Sequence, residues 1–109
     1  KSSFQITEKG ISILKKWCLK PIEKVEVEKK MNELLLRFAF MEKLIDIEHR
    51  INYLKSLSAI LHTYINELEE FKKMESEKMP LHGKLAFQFG IDSNKTALNW
   101  CEKAITQLT

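Results

Sequence analysis

The residue types in this sequence that most often carry chemistry are three histidines, two cysteines and fifteen acidic residues. No histidine or cysteine lies at metal-ligand spacing from another, as their positions make clear: Cys18, His49, His62, His82 and Cys101. The sequence also contains neither a GxSxG motif nor a P-loop. We therefore expect no catalytic residues, no bound metal and no cofactor, and we interpret the chain as a protein without enzyme activity.

Each cysteine directly follows a tryptophan, in the pairs Trp17-Cys18 and Trp100-Cys101. One interpretation is a pocket for a small aromatic effector, formed by Trp17, Phe38 and Trp100. The other is that these large aromatic side chains anchor a core or an interface, and we favour it because ligand pockets are few per protein. Two thiols without a CxxC motif are typical of a reducing compartment, so we expect a cytoplasmic location.

The composition favours a single helical domain. The chain has 109 residues, of which 44% are apolar and 30% are charged, with only three glycines and two prolines. The net charge of +3 is held by residues 1–50, with eleven Lys and Arg against eight Asp and Glu. A dedicated nucleic-acid binder usually carries a stronger and more clustered charge, so we expect no direct DNA contact from this chain alone. No apolar run approaches the ~20 residues of a membrane-spanning helix, so we expect no membrane partner.

The N-terminal residues predict an element that needs a partner. Apolar Phe4 and Ile6 alternate with polar Gln5 and Thr7, which predicts the end of a β-strand within residues 1–7. A lone strand is not stable by itself, so we expect the chain to begin inside a larger fold.

Two helices are predicted next. The first covers Glu8–Leu19, with Thr7 as its N-cap, and Pro21 ends it. After a connection over residues 21–26, the second covers about 27–41 and is apolar around much of its circumference, which indicates a central position.

The remaining helices are longer. The third covers about 47–78, with Asp46 as its N-cap, and the fourth covers Leu81–Leu108, with Gly90 as the expected point of a kink or break. The predicted fold class is therefore all-α, with about four helices. One of them is a long, antiparallel, coiled-coil-like helix, and the end of a strand precedes them all.

The long third helix carries two apolar stripes. The first follows the 4-3 spacing of a coiled coil, through Ile47, Ile51, Leu54, Ser58, Leu61, Ile65 and Leu68. The second runs through Tyr53, Leu57, Ile60, Tyr64 and Phe71. Because few other helices can cover both stripes, we expect one to pack within the chain and the other to pair with a second copy. Symmetric dimers are also the commonest oligomers.

Three segments in this order resemble a known family. The first is Phe4-x-Ile6-Thr7-x-x-Gly10 with Leu14-x-x-Trp17, and the second is Pro21-Ile22 followed by residues 33–40. The third combines Leu85-x-x-x-Phe89-Gly90-Ile91 with Ala97-Leu98-x-Trp100-x-x-x-Ala104-Ile105-x-x-Leu108. Together they resemble the PadR family of bacterial transcription regulators, in its longer subgroup with a virulence-activator-type C-terminal domain.

The resemblance implies a division of the chain and a role for each part. Residues 1–7 would be the end of the wing strand of an N-terminal winged helix, and residues 8–20 would form a connecting helix. Residues 21–109 would form a helical dimerisation domain. DNA would be bound by the winged helix, of which this chain lacks the base-reading helices. Some members of the family respond to small aromatic or phenolic effectors, and the resemblance does not identify one here.

We therefore predict a homodimer whose interface includes Leu54, Leu57, Leu61, Tyr64, Ile65, Leu68, Leu98, Trp100, Cys101 and Ile105. Replacing Leu61 by glutamate is expected to separate the two copies. Two other functions stay open: a small-molecule sensor, and a helical adaptor that binds another protein's helix in an exposed groove.

Overall fold

The computed structural model describes residues 7–109, and this range is all α-helical. Its helices are α1 (Glu8–Leu19), α2 (Lys24–Lys29), α3 (Met31–Leu44), α4 (Ile47–Glu75) and α5 (Leu81–Leu108). The all-α prediction is confirmed for the described range. The strand predicted over residues 1–7 falls on residues 1–6, which lie outside that range, and Thr7 is the N-cap of α1.

The chain divides into two compact units, and the boundary falls within α4. The first unit ends at Tyr53 and the second unit comprises Leu54–Thr109. Among the helices of residues 7–109, none combines the length and the apolar content that a membrane span requires.

The start of α1 in the first unit agrees with the sequence pattern. The Thr7 hydroxyl accepts a hydrogen bond from the Gly10 backbone N–H at 3.0 Å, which satisfies one of the free amides of the first turn. Lys20 is the C-cap residue, with an extended backbone before Pro21. The first predicted helix is therefore confirmed from end to end.

The predicted second helix is wrong, because the structure forms two helices there. Residues 21–26 were expected to be a connection, but α2 begins at Lys24 behind a capping box, in which the Glu26 carboxylate accepts from the Glu23 N–H at 2.9 Å. The backbone then departs from helical geometry at Lys30, with φ −133° and ψ 38°, and α3 starts at Met31. The Glu23-x-x-Glu26 spacing was the signal for this extra helix.

The long helix α4 is confirmed, with 29 residues. The Asp46 carboxylate accepts a hydrogen bond from the His49 backbone N–H at 3.0 Å, as expected of an N-cap. The His49 side chain makes a second hydrogen bond to the same carboxylate. Together the two bonds lower the pKa of Asp46. The helix ends at Glu75, whose carbonyl accepts from the N–H groups of Lys78 and Met79 in a following turn.

The break predicted at Gly90 is wrong, because α5 runs without interruption from Leu81 to Leu108, and a kink there stays a prediction. No glycine in the described range has a positive φ. The Gly90 carbonyl also accepts a hydrogen bond from the side-chain amide of Asn94, at 2.7 Å, one helical turn later.

In the second unit, α4 and α5 pack as an antiparallel pair. Lys95 binds Glu69 at 2.8 Å, and the rings of Phe71 and Phe87 lie 5.5 Å apart between centroids. Nearer the other end, His62 and Glu102 are 3.8 Å apart. The side chains that the unit buries are Leu54, Leu57, Leu61, Ile65, Ile91 and Cys101.

Candidate interaction surface

Helix α5 has apolar side chains on two sides, and its inner side packs within the second unit. Ile91 and Cys101 are buried there, and Phe87 contacts Phe71 of α4. This side is the one that a helix of a globular domain ordinarily hides from water.

The outer side of α5 is apolar as well, and it is exposed. Leu81, Leu85 and Phe89 are 65%, 60% and 72% exposed, and Trp100 further along is 38% exposed. Residues four apart in a helix are offset by only about 40°, so the first three line one side, and Trp100 falls about 20° from Phe89. We call these four residues the outer stripe. Exposed apolar surface of this kind marks an interaction site more often than isolated apolar residues do.

The ten residues predicted for a dimer interface divide into two groups in the structure. Five are buried within the single chain: Leu54, Leu57, Leu61, Ile65 and Cys101. The other five remain wholly or partly accessible: Tyr64, Leu68, Leu98, Trp100 and Ile105. A glutamate at position 61 would therefore disrupt packing inside the chain before it could act on a partner. Of the predicted residues, Trp100 alone belongs to the outer stripe.

The residues predicted for an effector pocket belong to different aromatic contacts. Trp17 packs edge-on against Phe40, with centroids 6.1 Å apart, whereas Phe38 stacks on Tyr53 at 6.3 Å. Trp100 lies in the second unit. A pocket shared by Trp17, Phe38 and Trp100 therefore stays a prediction.

Open grooves that could receive small ligands lie in both units. The first unit has a groove of about 380 Å³ lined by residues 28–33, and another of about 240 Å³ lined mainly by apolar residues of α1 and α3, including Ile11, Leu14, Phe40 and Leu44. The volume of the apolar groove is below the ~300–1,000 Å³ typical of ligand sites. A groove of the second unit is about 620 Å³ and is lined mostly by polar and charged residues, including the paired Lys95 and Glu69. In the described range, no group of three or more His, Cys, Asp or Glu could hold a metal ion.

A buried arginine organises the first unit. The Arg37 side chain is only 1% exposed, and its Nη1 donates a hydrogen bond to the Trp17 carbonyl at 3.1 Å. Its Nε donates to the Tyr53 hydroxyl at 3.4 Å, and that hydroxyl donates in turn to the Leu34 carbonyl at 2.7 Å. Burial raises the pKa of Tyr53, so its hydroxyl stays protonated and available as a donor.

Arg37 also has one acidic partner, Glu26 of α2. The carboxylate lies 3.7 Å from Nη2, which has no hydrogen-bond acceptor of its own. Arg37 thus connects α3 with α1, α2 and the start of α4. Our sequence interpretation missed it, since it counted residues 33–40 only as an apolar helix. A single basic residue inside such an apolar run was the available signal.

Both cysteines are buried free thiols. Burial raises the pKa of Cys18, and it raises the pKa of Cys101 to about 11. Both side chains are therefore in the thiol form at neutral pH, whereas nucleophilic attack and metal binding use the thiolate.

A family model described as Virulence activator alpha C-term matches residues 31–109, which is most of the chain. No curated protein and no solved structure matches the chain. The matched range contains α3, α4 and α5, and with them Arg37 and the outer stripe.

Proposed function

The chain belongs to the virulence activator alpha C-terminal family, and on that premise we propose that it pairs two copies of a PadR-type transcription regulator. The proposed role is binding rather than catalysis. The protonated state of both buried thiols agrees with that role, because it leaves them poor nucleophiles.

The observation that carries this proposal is the outer stripe on α5. A monomer would leave Leu81, Leu85 and Phe89 more than half exposed to water. Full burial of such a side chain contributes roughly 1.5–3 kcal/mol, so covering the stripe on both copies would offset part of the cost of association. Because the stripe is the same on both copies, a two-fold axis can bring it against itself.

Pairing would serve a regulator by fixing the distance between two DNA-binding domains. A dimer with two winged helices binds two half-sites of a pseudo-palindromic operator, and the dimer geometry sets their spacing. This chain would supply the geometry, and the winged helix of the regulator would supply the base contacts.

The test is the solution mass of the chain by light scattering, over a dilution series down to about micromolar concentrations, where a weak interface dissociates. We expect twice the chain mass of 12.8 kDa. The double variant Leu85→Glu/Phe89→Glu should be monomeric, because pairing would bury two uncompensated charges. Its helical content by circular dichroism should be unchanged, since both positions are exposed in the single chain.

The matched control is Ala59→Glu, which adds a charge at an exposed position of α4 in the same unit. This variant should keep the mass of the parent protein. A monomeric parent protein, or a double variant that still pairs as tightly as the control, would contradict the proposal.

A further inference from the structure

The positive charge of this protein is concentrated on its first helix. From Lys9 to Lys20 the chain has four lysines and no acidic residue, whereas its net charge is only +3. The helix begins with one acidic residue, Glu8, so α1 together with Lys20 has a net charge of +3, whereas none of α2 to α5 exceeds +1. The small net charge therefore conceals a locally basic element.

Three of these lysines share one side of α1. Lys9 and Lys16 are seven residues apart, and Lys20, the C-cap residue, follows four residues later. At 100° and 1.5 Å per residue they lie within about 40° of one another along about 16 Å. We call them the basic face.

The lysines of the basic face are exposed and carry no ion pair in the described part of the chain. Other lysines of this protein do have acidic partners, such as Lys73 with Glu70 and Lys95 with Glu69. The basic face is thus a row of uncompensated positive charge, and it fits a partner with a row of negative charge.

Although the small net charge led us to expect no direct DNA contact, we propose that the basic face of α1 contacts the phosphate backbone of duplex DNA. The charges call for a polyanion, and the choice of DNA rests on the proposed function in a transcription regulator. Duplex DNA carries one negative charge per ~1.7 Å of its axis, so a row of about 16 Å can meet several phosphates. Such contacts hold and orient a protein on DNA without reading its sequence.

An anionic membrane is a weaker fit to the same charges. A helix that lies in a membrane surface must bury its apolar side in the lipid. Much of the apolar side of α1 is already occupied in the first unit, where Cys18 is buried and Trp17 packs against Phe40. Of the large apolar side chains of α1, only Ile13 and Leu19 are more than half exposed, which is a small area for insertion into lipid.

The experiment measures binding of the chain to a fluorescein-labelled duplex of mixed sequence, by fluorescence anisotropy over a range of salt concentrations. The triple variant Lys9→Gln/Lys16→Gln/Lys20→Gln is compared with a control that neutralises three exposed lysines outside the first unit, Lys55→Gln/Lys84→Gln/Lys103→Gln. The parent protein should bind, with a linear dependence of log K on log salt. Loss of the basic face should lower the magnitude of that slope by about 2.7, at about 0.9 for each phosphate contact. The control should keep the parent slope.

Three results would overturn the proposal: no binding by the parent protein at low salt, equal losses in the two triple variants, or tighter binding to phosphatidylserine vesicles than to the duplex. Light scattering on the same proteins separates this proposal from the proposed function. A dimer that does not bind DNA would contradict only the proposed role of the basic face. A monomer that binds DNA through the basic face would contradict only the proposed pairing.

Discussion

At Arg37 the first unit holds a charge away from water, which costs free energy unless partners compensate for it. Two hydrogen bonds and one carboxylate do so, and the carboxylate of Glu26 is the only negative charge among them. Because Nη2 has no hydrogen-bond acceptor, its stabilisation depends on that charge.

We therefore expect Glu26→Gln to lower the free energy of unfolding by about 1–3 kcal/mol, the range for a buried group that loses its partner. The glutamine keeps an oxygen that can accept from the Glu23 N–H, so the capping box of α2 is retained. Chemical denaturation monitored by circular dichroism measures the change.

Glu28→Gln is the matched control for this charge. Glu28 pairs with Lys24 at 3.8 Å on the same helix, and both side chains are accessible to solvent. Exposed pairs of this kind contribute about 0–1 kcal/mol, so the control should change stability little. Equal losses in the two variants would show that Arg37 does not depend on Glu26.

Individual residues also show what could not be predicted from this sequence, namely which apolar side chains the chain itself buries. The periodicity of α4 correctly identified apolar positions such as Leu54, Leu61 and Ile65. It could not tell whether they are buried by the same chain or by a second copy, because both kinds of burial require the same pattern. The structure buries them within the chain and leaves exposed Leu85 and Phe89, for which no interface role was predicted.

At the scale of the helices, the predicted helix starts were correct where a single Thr or Asp side chain caps the first turn. Thr7 and Asp46 begin α1 and α4 as expected. The division between α2 and α3 was missed, because the break at Lys30 uses neither glycine nor proline. At Gly90 a break was predicted that does not occur, since a glycine lowers the stability of a helix without necessarily ending it.

Gly90 therefore offers a stabilising substitution in α5. A Cβ built at Gly90 meets no atom within 4 Å, and the backbone there is helical. Gly90→Ala should raise the free energy of unfolding by about 0.4–1 kcal/mol, mainly by restricting the unfolded chain. Thermal denaturation would detect the change as a higher Tm. A lower Tm would mean that a group from outside the chain occupies the space beside Gly90.

At the scale of the whole molecule, the two units carry the two proposed contacts. The basic face belongs to α1 in the first unit, and the outer stripe belongs to α5 in the second. Apart from Trp100, neither surface was predicted from the sequence, because each depends on which side of a helix the rest of the chain leaves uncovered. The all-α class and the long helices needed only periodicity and capping, and those are local properties.

The two Trp-Cys pairs have a practical consequence, because one lies in each unit. Maleimides react with thiolates, and Cys18 and Cys101 are both buried with a raised pKa. Each cysteine should therefore be alkylated only when the structure around it opens. A higher pH, even near the pKa of about 11 of Cys101, should not allow alkylation while the thiol stays buried. Mass spectrometry of peptides after timed exposure to a maleimide would give one opening rate for each unit.

Unequal rates would mean that the two units lose their structure separately, whereas equal rates would mean that they lose it together. A native protein alkylated at the rate of a free peptide would contradict the burial of both thiols.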